Sequence, residues 1–393
     1  MRPTGDTAPE DVLGTVHGFF DEPHCAPYLG PPHGGSPACN RALSDGQGPV
    51  TLSVPPGSYF VYATRGPFWT LARVEVELLA AVTDEDLVSV SLVLAPLEGL
   101  VPPGVLSADF HVHSGASFDS SFPERERALT FVSQAVDVIA ATDHDVVTDF
   151  TPHLEALGID DQVRVMPGVE STGEILFFQP PGELIPKVMG HFNFWPLRYD
   201  ANASRNGAPQ EEMVEPGVLY DRVDALFDGV GVRQLNHPLG ESSFGRDHGY
   251  VTAVGYNPHL PIPDAPDGTP AGMLIERPGG PDGYTNLDHH AQEVMNGFET
   301  HQFLKYRVLW FSLLNQGYLR SGTANSDSHT LGIEVLGWPR TLVFADMDLA
   351  SFAADAFNTA VRDGRMVGTN GPVLLATLLD ADGDLRRPSL DAF

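Results

Sequence analysis

Six of the 15 histidines in this 393-residue chain stand where a short apolar run gives way to polar residues: His111 and His113 in DFHVHS, His144 in ATDHD, His191 in GHFNF, His237 in NHP and His329 in SDSH. Side chains two apart on a strand project to one face, so His111 and His113 can grip one ion together. Asp327 and His329 repeat that spacing. Asp143 and His144 follow the apolar run VIAA, where an unpaired charge is expensive and a cation would balance it. Glu170, in PGVEST, offers two oxygens that could bridge two ions, while His191 and His237 offer neutral imidazole nitrogens. Taken singly, each of these groups is better explained as a strand cap or a hydrogen-bonded core residue. Taken together, they point to a multinuclear metal site. Paired divalent ions sharing a carboxylate would generate hydroxide from bound water at neutral pH and stabilise the oxyanion forming on phosphorus or carbon. No serine or cysteine nucleophile is then required, and no G-x-S-x-G stretch occurs.

These donors need elements that bring them together. After LVPPG, strand-like runs alternate with helix-like segments. The strands are VLSADFHVHS, DVIAATDHD, VRVMPGVEST, KVMGHFNFW, VRQLNHPL, EVMNGFETH and LRSGTANSDSH; the helices include PERERALTFVSQAV, VLYDRVDALFDGV, FLKYRVLWFSLLNQG and DLASFAADAFNTAVRDG. Repeated strand–helix units predict a parallel sheet, and strands that each finish in His, Asp or Glu are gathered most economically by a barrel. Residues 1–105 read differently: VTLSVPP, SYFVYATRG, ARVEVELL and VSVSLVLAP alternate apolar and polar residues between Gly, Pro and Asp. That pattern predicts a small antiparallel β-sandwich with a half-buried hairpin over residues 45–65 turning at PPGSY. The expected division is a β-sandwich-like segment at 1–105, without chemistry, and a barrel at 106–393 that carries the site.

Composition narrows the partners. Lys plus Arg is 22 against 52 for Asp plus Glu, a formal net charge of -30, which repels phosphate backbones and anionic lipid surfaces. Hydrophobic residues at 42% with charged ones at 19% suffice for a sizeable core, and 40 Gly with 34 Pro imply many turns. No run of about 18 apolar residues occurs, so no membrane span is expected. Cys25 and Cys39 lie in one Pro/Gly-rich loop and could pair or stay as free thiols, leaving the compartment open.

The set DFHVHSGASFDSS, ATDHD, GVES, GHFNFWP, NHP, SDSH and GTNGP, in that order over residues 107–373, resembles the PHP (polymerase and histidinol phosphatase) metallohydrolases, in particular the branch that includes carbaryl hydrolases. The resemblance implies an α/β fold, a distorted (β/α)7 TIM-like barrel with two to three divalent ions (Mn, Zn or Fe) at the strand C-termini. By this resemblance His111, His113, Glu170 and Asp327 would hold the first ion, Glu170, His191 and His237 the second, and Asp119, His144 and His329 the third. Asp119 departs from the many relatives that carry His there, and an Asp shifts preference towards harder ions such as Mn. Asp109 and Asp143 are candidate partners orienting the histidines. His329 or the third ion would position the leaving group. The substrate implied is a small-molecule phosphoester, with a carbamate or carboxyl ester as the alternative, and not a nucleic acid. Related proteins often continue past GTNGP, so a further domain downstream is compatible with the pattern.

Two competing readings are weaker. An amidohydrolase-type barrel would need a carbamylated lysine, for which Lys187 in KVMGH is the candidate, but Glu170 already fills the bridging role and His329 is surplus to that pattern. A metal-free relic serving as a binding module would have lost donors, whereas all nine positions retain one. His289, His290 and His301 are expected at the surface or in a substrate pocket, and His17, His24, His33, His153, His248 and His259 in solvated positions. Arg125 and Arg127 in PERER could meet an anionic substrate, although the exposed face of a helix is the better reading, while Phe194, Trp195, Trp310 and Phe311 could line a pocket or fill the core.

Overall fold

The computed structural model describes residues 2–3, 43–51, 56–79, 87–173, 190–212, 214–240, 249–262, 272, 286–297, 299–329, 337–373, 378–379, 382 and 385–386. Cys25, Cys39, Lys187, His17, His24, His33 and His248 lie outside them.

In the first 105 residues, β1 (Arg2–Pro3), β2 (Gly57–Ala63) and β3 (Ala72–Leu78) form one antiparallel sheet in that order. The sequence ARVEVEL alternates as a two-sided strand should: Arg73, Glu75 and Glu77 face water and the intervening apolar residues are partly covered. One expectation is not met among the described residues. Among the described residues no second sheet packs on this one to make a sandwich, and VSVSLVLAP carries only a single bridge, between Pro96 and Trp69. The turn expected at PPGSY begins at Pro55, outside the described residues; Gly57 opens β2, which pairs with β1 and with β3. Alternation tells a segment to extend, but it does not choose the neighbour.

Residues beyond 105 form a mixed α/β assembly. In chain order the strands are β4 (Val105–Asp109), β5 (Val138–Ala141), β6 (Arg164–Pro167), β7 (Val169–Ser171), β8 (Phe192–Leu197), β9 (Phe227–Leu235), β10 (Ala291–Asn296), β11 (Ser321–Asn325), β12 (Arg340–Phe344) and β13 (Met366–Thr369). They make two five-stranded sheets, ordered β13-β12-β4-β5-β6 and β11-β10-β9-β8-β7. Pairing is parallel along β4-β5-β6 and β9-β10-β11, and antiparallel where β8 and β12 meet their neighbours. Neither an all-parallel sheet nor a closed barrel is present among the described residues. The sheets are instead stitched by isolated bridges, Val112 to Ser328 on one side and His144 to Glu170 and Thr148 to Gly168 on the other.

The corner between sheets is built at Gly168. β6 and β7 are one extended segment that changes sheet across this residue. A Cβ there would fall 2.7 Å from the Phe194 carbonyl and 3.0 Å from that of Ala141, so only glycine allows the backbones to come this close.

Helices cover the outer faces: α1 (Glu124–Ser133), α2 (Thr151–Leu157), α3 (Pro216–Asp224), α4 (Tyr250–Ala253), α5 (Thr300–Asn315) and α6 (Ala354–Arg362). In α5, Tyr306, Leu309 and Leu313 recur at helical spacing and are buried; in α6, Phe357, Ala360 and Val361 do the same. The run VLYDRVDALFDGV splits between α3 and β9 because Phe227 already begins a strand. Between the sheets, Phe110 stacks on Trp195 at 4.8 Å within a cluster that includes Leu106, Val138, Met166, Val232 and Phe357. Phe194 and Trp195 are therefore core residues. Trp310 is anchored through its indole N–H to the Arg320 carbonyl, and Phe311 faces solvent. Among the described residues no helix is long and apolar enough to cross a membrane.

Candidate metal centre

Chain direction explains which end of each strand contributes. His111 and His113 follow β4, His144 follows β5, Glu170 sits in β7, His237 follows β9, and Asp327 and His329 follow β11. His191 precedes its strand because β8 runs antiparallel to both neighbours, which puts its beginning at the rim where theirs end. Asp119 comes from the loop between His113 and α1. Eight of the nine residues fall into three groups whose donor atoms lie within 4.8 Å of one another: His111, His113, Glu170 and Asp327; His113, Asp119, His144 and His329; and His144, Glu170 and His191. His237 joins the edge of the third group, its Nε2 3.5 Å from Glu170 Oε1 and its ring 4.9 Å from that of His191.

The first group is the tightest. His111 Nε2 lies 3.0 Å from Glu170 Oε2 and 3.1 Å from Asp327 Oδ1, and His113 Nε2 lies 3.1 Å from each of the same oxygens. Donors octahedrally placed at about 2.1 Å around one cation stand about 3.0 Å apart, so these separations suit a shared ion. The buried Nε2 atoms of both histidines and Oδ1 of Asp327 make no hydrogen bond. His113 shows why its Nε2 is a lone pair. The single Ser117 hydroxyl proton goes to Asp143, so Ser117 Oγ accepts from the His144 backbone N–H and from His113 Nδ1, leaving Nε2 bare towards two carboxylates. Acceptors gathered around a point require either a proton or a cation between them.

In the second group His144 Nε2 and His329 Nε2 each lie 3.2 Å from Asp119 Oδ2. His329 Nδ1 donates to the Asp327 carbonyl at 3.0 Å. Here the centre meets solvent: Asp119 is 36% exposed, whereas His111 and His113 are wholly buried. Phe118, 75% exposed, stacks on His144 at this opening. Asp327 holds its backbone in the left-handed region, φ 50°, a conformation Asp tolerates better than most residues and one common at functional sites.

Electrostatics follow from burial against mutual attraction. Burial disfavours the charged form of Glu170, yet His111, His144 and His191 together hold its carboxyl well below the usual range. The same balance depresses Asp327 through His111, His113 and His329, and Asp119 through His144 and His329. His111 is pushed down by burial but raised well above an ordinary imidazole by Asp327, Glu170 and Glu293. His191 differs: burial takes it down to about 3 despite Glu170, which leaves it a neutral donor. Among the described residues, Asp119, Glu170 and Asp327 have only histidines as ion-pair partners, so no arginine or lysine neutralises them.

Asp109 and Asp143 sit beneath the centre, and neither touches an imidazole nitrogen. Asp109 accepts from the backbone N–H groups of His111 and Ser326, tying together the ends of β4 and β11, and burial pushes its carboxyl up to about 6. Asp143 accepts from the Ser114 N–H and from the hydroxyls of Ser114, Ser117 and Thr148, reaching His113 only through Ser117.

Sequence reading missed three contributors. Glu293, in β10, is fully buried with Oε1 2.8 Å from His111 Nδ1. Asn236 donates to Glu170 Oε1 at 2.7 Å, and Ser117 links three site residues. The one signal for Glu293 was a carboxylate opening the short apolar run VM in AQEVMN, which Gln292 and Asn296 on either side obscure. Arg127 is also a correction: it is buried, over the Phe122 ring and 3.4 Å from Ser328 Oγ, while Arg125 is exposed beside Glu126. His289 is buried and His290 bonds Arg233, both away from the centre, and His301 is exposed beside Glu299. His153 pairs with Glu124.

The sequence matches no family model, and no curated protein resembles it closely. Solved structures similar to it include a two-domain protein of Bacteroides vulgatus described as containing a predicted PHP-like metal-dependent phosphoesterase, at 19% identity and TM-score 0.41, covering 68% of this chain and 67% of that one. Another is a lesion-specific endonuclease of Pyrococcus furiosus, at 13% identity and TM-score 0.35, covering 66% of this chain and 56% of that one. Similarity at this level assigns no activity.

Proposed function

We propose that the chain is a metal-dependent hydrolase of small-molecule phosphoesters, with its chemistry in residues 106–393. The observation that carries this reading is the first group, in which two buried imidazole nitrogens without a hydrogen-bond partner and two carboxylate oxygens face one point, with no arginine or lysine ion-paired to those carboxylates among the described residues. His111, His113, Glu170 and Asp327 would hold one divalent ion, Glu170, His191 and His237 a second, and Asp119, His144 and His329 a third. Mn, Zn or Fe fits this mixture of imidazole and carboxylate. Such ions supply a Lewis acid and an activated water. The protein's own residues fix the donors, keep the floor of the site dry and leave the Asp119–His329 side open to substrate. The net charge of -30 favours a small substrate over a nucleic acid. In the PHP reading the two stitched sheets are an opened form of the distorted (β/α)7 barrel.

The test is to purify the protein, load it with Mn, Zn or Fe singly, measure bound metal, and assay p-nitrophenyl phosphate, a phosphodiester, 1-naphthyl acetate and a 1-naphthyl carbamate. Two to three ions per chain with turnover of a phosphate ester are expected. Turnover confined to the acetate or carbamate would move the assignment to the ester-hydrolase alternative, and fewer than one ion per chain would end it.

A further inference from the structure

We infer that Glu293 is the positioning residue that sets which nitrogen of His111 faces the ions and locks three donor-bearing strand ends to one another, an inference that rests on the metal-centre reading above. A carboxylate has four lone-pair positions, and Glu293 fills all four with donors. Oε1 takes His111 Nδ1 at 2.8 Å and Asn325 Nδ2 at 2.9 Å; Oε2 takes the His237 backbone N–H at 2.8 Å and Asn296 Nδ2 at 2.9 Å. Asn296 also donates to Asp327 Oδ2 at 3.0 Å, and Asn325 accepts from the Phe110 N–H at 3.0 Å. One side chain in β10 thus ties His111 after β4, His237 after β9 and Asp327 after β11. Because Glu293 has only acceptors to offer, His111 must keep a proton on Nδ1, so that a cation displaces the Nε2 proton and takes the lone pair on the side of Glu170 and Asp327.

The same geometry specifies what Glu293→Gln would do. Its amide nitrogen must replace one of the two oxygens. The His237 backbone N–H is always a donor and cannot adapt, whereas the His111 ring can shift its proton, so the new NH2 belongs on the His111 side, where the Asn325 amide, held by the Phe110 N–H, loses its acceptor. There the NH2 meets Nδ1–H donor to donor. His111 resolves the conflict by moving its proton to Nε2, which then points a hydrogen into the cation position.

The readouts are zinc affinity, by competition with a chromophoric chelator, and the protonation pattern of the His111 ring in zinc-loaded protein, by imidazole nitrogen NMR. Wild type should show a hydrogen-bonded Nδ1–H. Glu293→Gln should lose it and bind the tightest zinc ion ~10 to 100-fold more weakly, with an unchanged circular dichroism spectrum. Glu293→Asp, which keeps the acceptors on a shorter stem, should lose less. Zinc affinity within twofold of wild type, or a His111 ring still protonated at Nδ1, in Glu293→Gln would overturn the inference. If the Gln variant does not fold, wild type decides alone: a His111 Nδ1 without a proton overturns it. Failure of wild type to take up any of the three metals would sink the hydrolase reading instead, and the Nδ1 proton would then be read in metal-free wild type on the same criterion.

Discussion

Glu170 reaches five of the histidines, and its two oxygens face different groups: Oε2 lies near His111, His113 and His144, Oε1 near His191 and His237. Among the described residues, the ion-pair partners of Asp119 are His144 and His329. Glu170→Gln should therefore cost more than Asp119→Ala, by at least ~10-fold in kcat/KM, and should release more metal; equal losses would show that Glu170 does not bridge. A pH dependence follows from the same groups. In chelator-stripped protein, His111 is raised above its unfolded value, so its contribution to stability is complete below about pH 6.5 and fades as pH climbs through the folded value. Glu170 and Asp327 are depressed, so theirs is present above about pH 4 and disappears in acid. Stripped protein should melt highest between those limits and lose Tm towards pH 9, whereas a metal ion that takes the place of the His111 proton should preserve Tm on the alkaline side. Parallel Tm profiles with and without metal would contradict this exchange.

At the scale of elements, the donors were legible and their frame was not. A histidine or carboxylate after a run such as VIAA announces itself because burial makes an unpaired charge costly, and that reasoning found the residues now gathered in three groups. It could not find Glu293, whose surroundings look polar on paper because Gln292 and Asn296 flank it, nor Ser117, whose hydroxyl works through partners far along the chain. The same local logic misplaced Arg127: four charges in PERER suggest a wet helix face, while the fold buries one beside Ser328. Strand direction was hidden too, since β8 and β12 share the apolar composition of the parallel strands. Where the two sheets meet, Thr341 stands in for ladder bonds, accepting from the Ala324 N–H and donating to its carbonyl, both at 2.9 Å. Thr341→Val would keep the shape and strand two buried backbone groups, at a cost of ~2–4 kcal/mol in chemical denaturation. A loss below about 0.5 kcal/mol would mean that the seam is held elsewhere.

For the molecule as a whole, a formal charge of -30 makes self-repulsion a standing penalty on the compact state. Raising NaCl from 10 mM towards about 0.5 M should screen it and raise the Tm of metal-loaded protein; a flat or falling Tm would show that the acidic residues are already locally compensated. The order of the strands has a different consequence. β4, which leads into His111 and His113, is hydrogen-bonded on one side to β12, more than two hundred residues later in the chain, and His113 also receives its backbone partner from Ser328. During synthesis, the first two imidazoles and the neighbouring β5 emerge long before β12 on the other flank and before Asp327, the carboxylate that closes their group. An ion meeting the nascent chain would find a loose H-x-H pair, and high affinity would arrive only once the final third has been made and β12 has closed the open edge of the early strand.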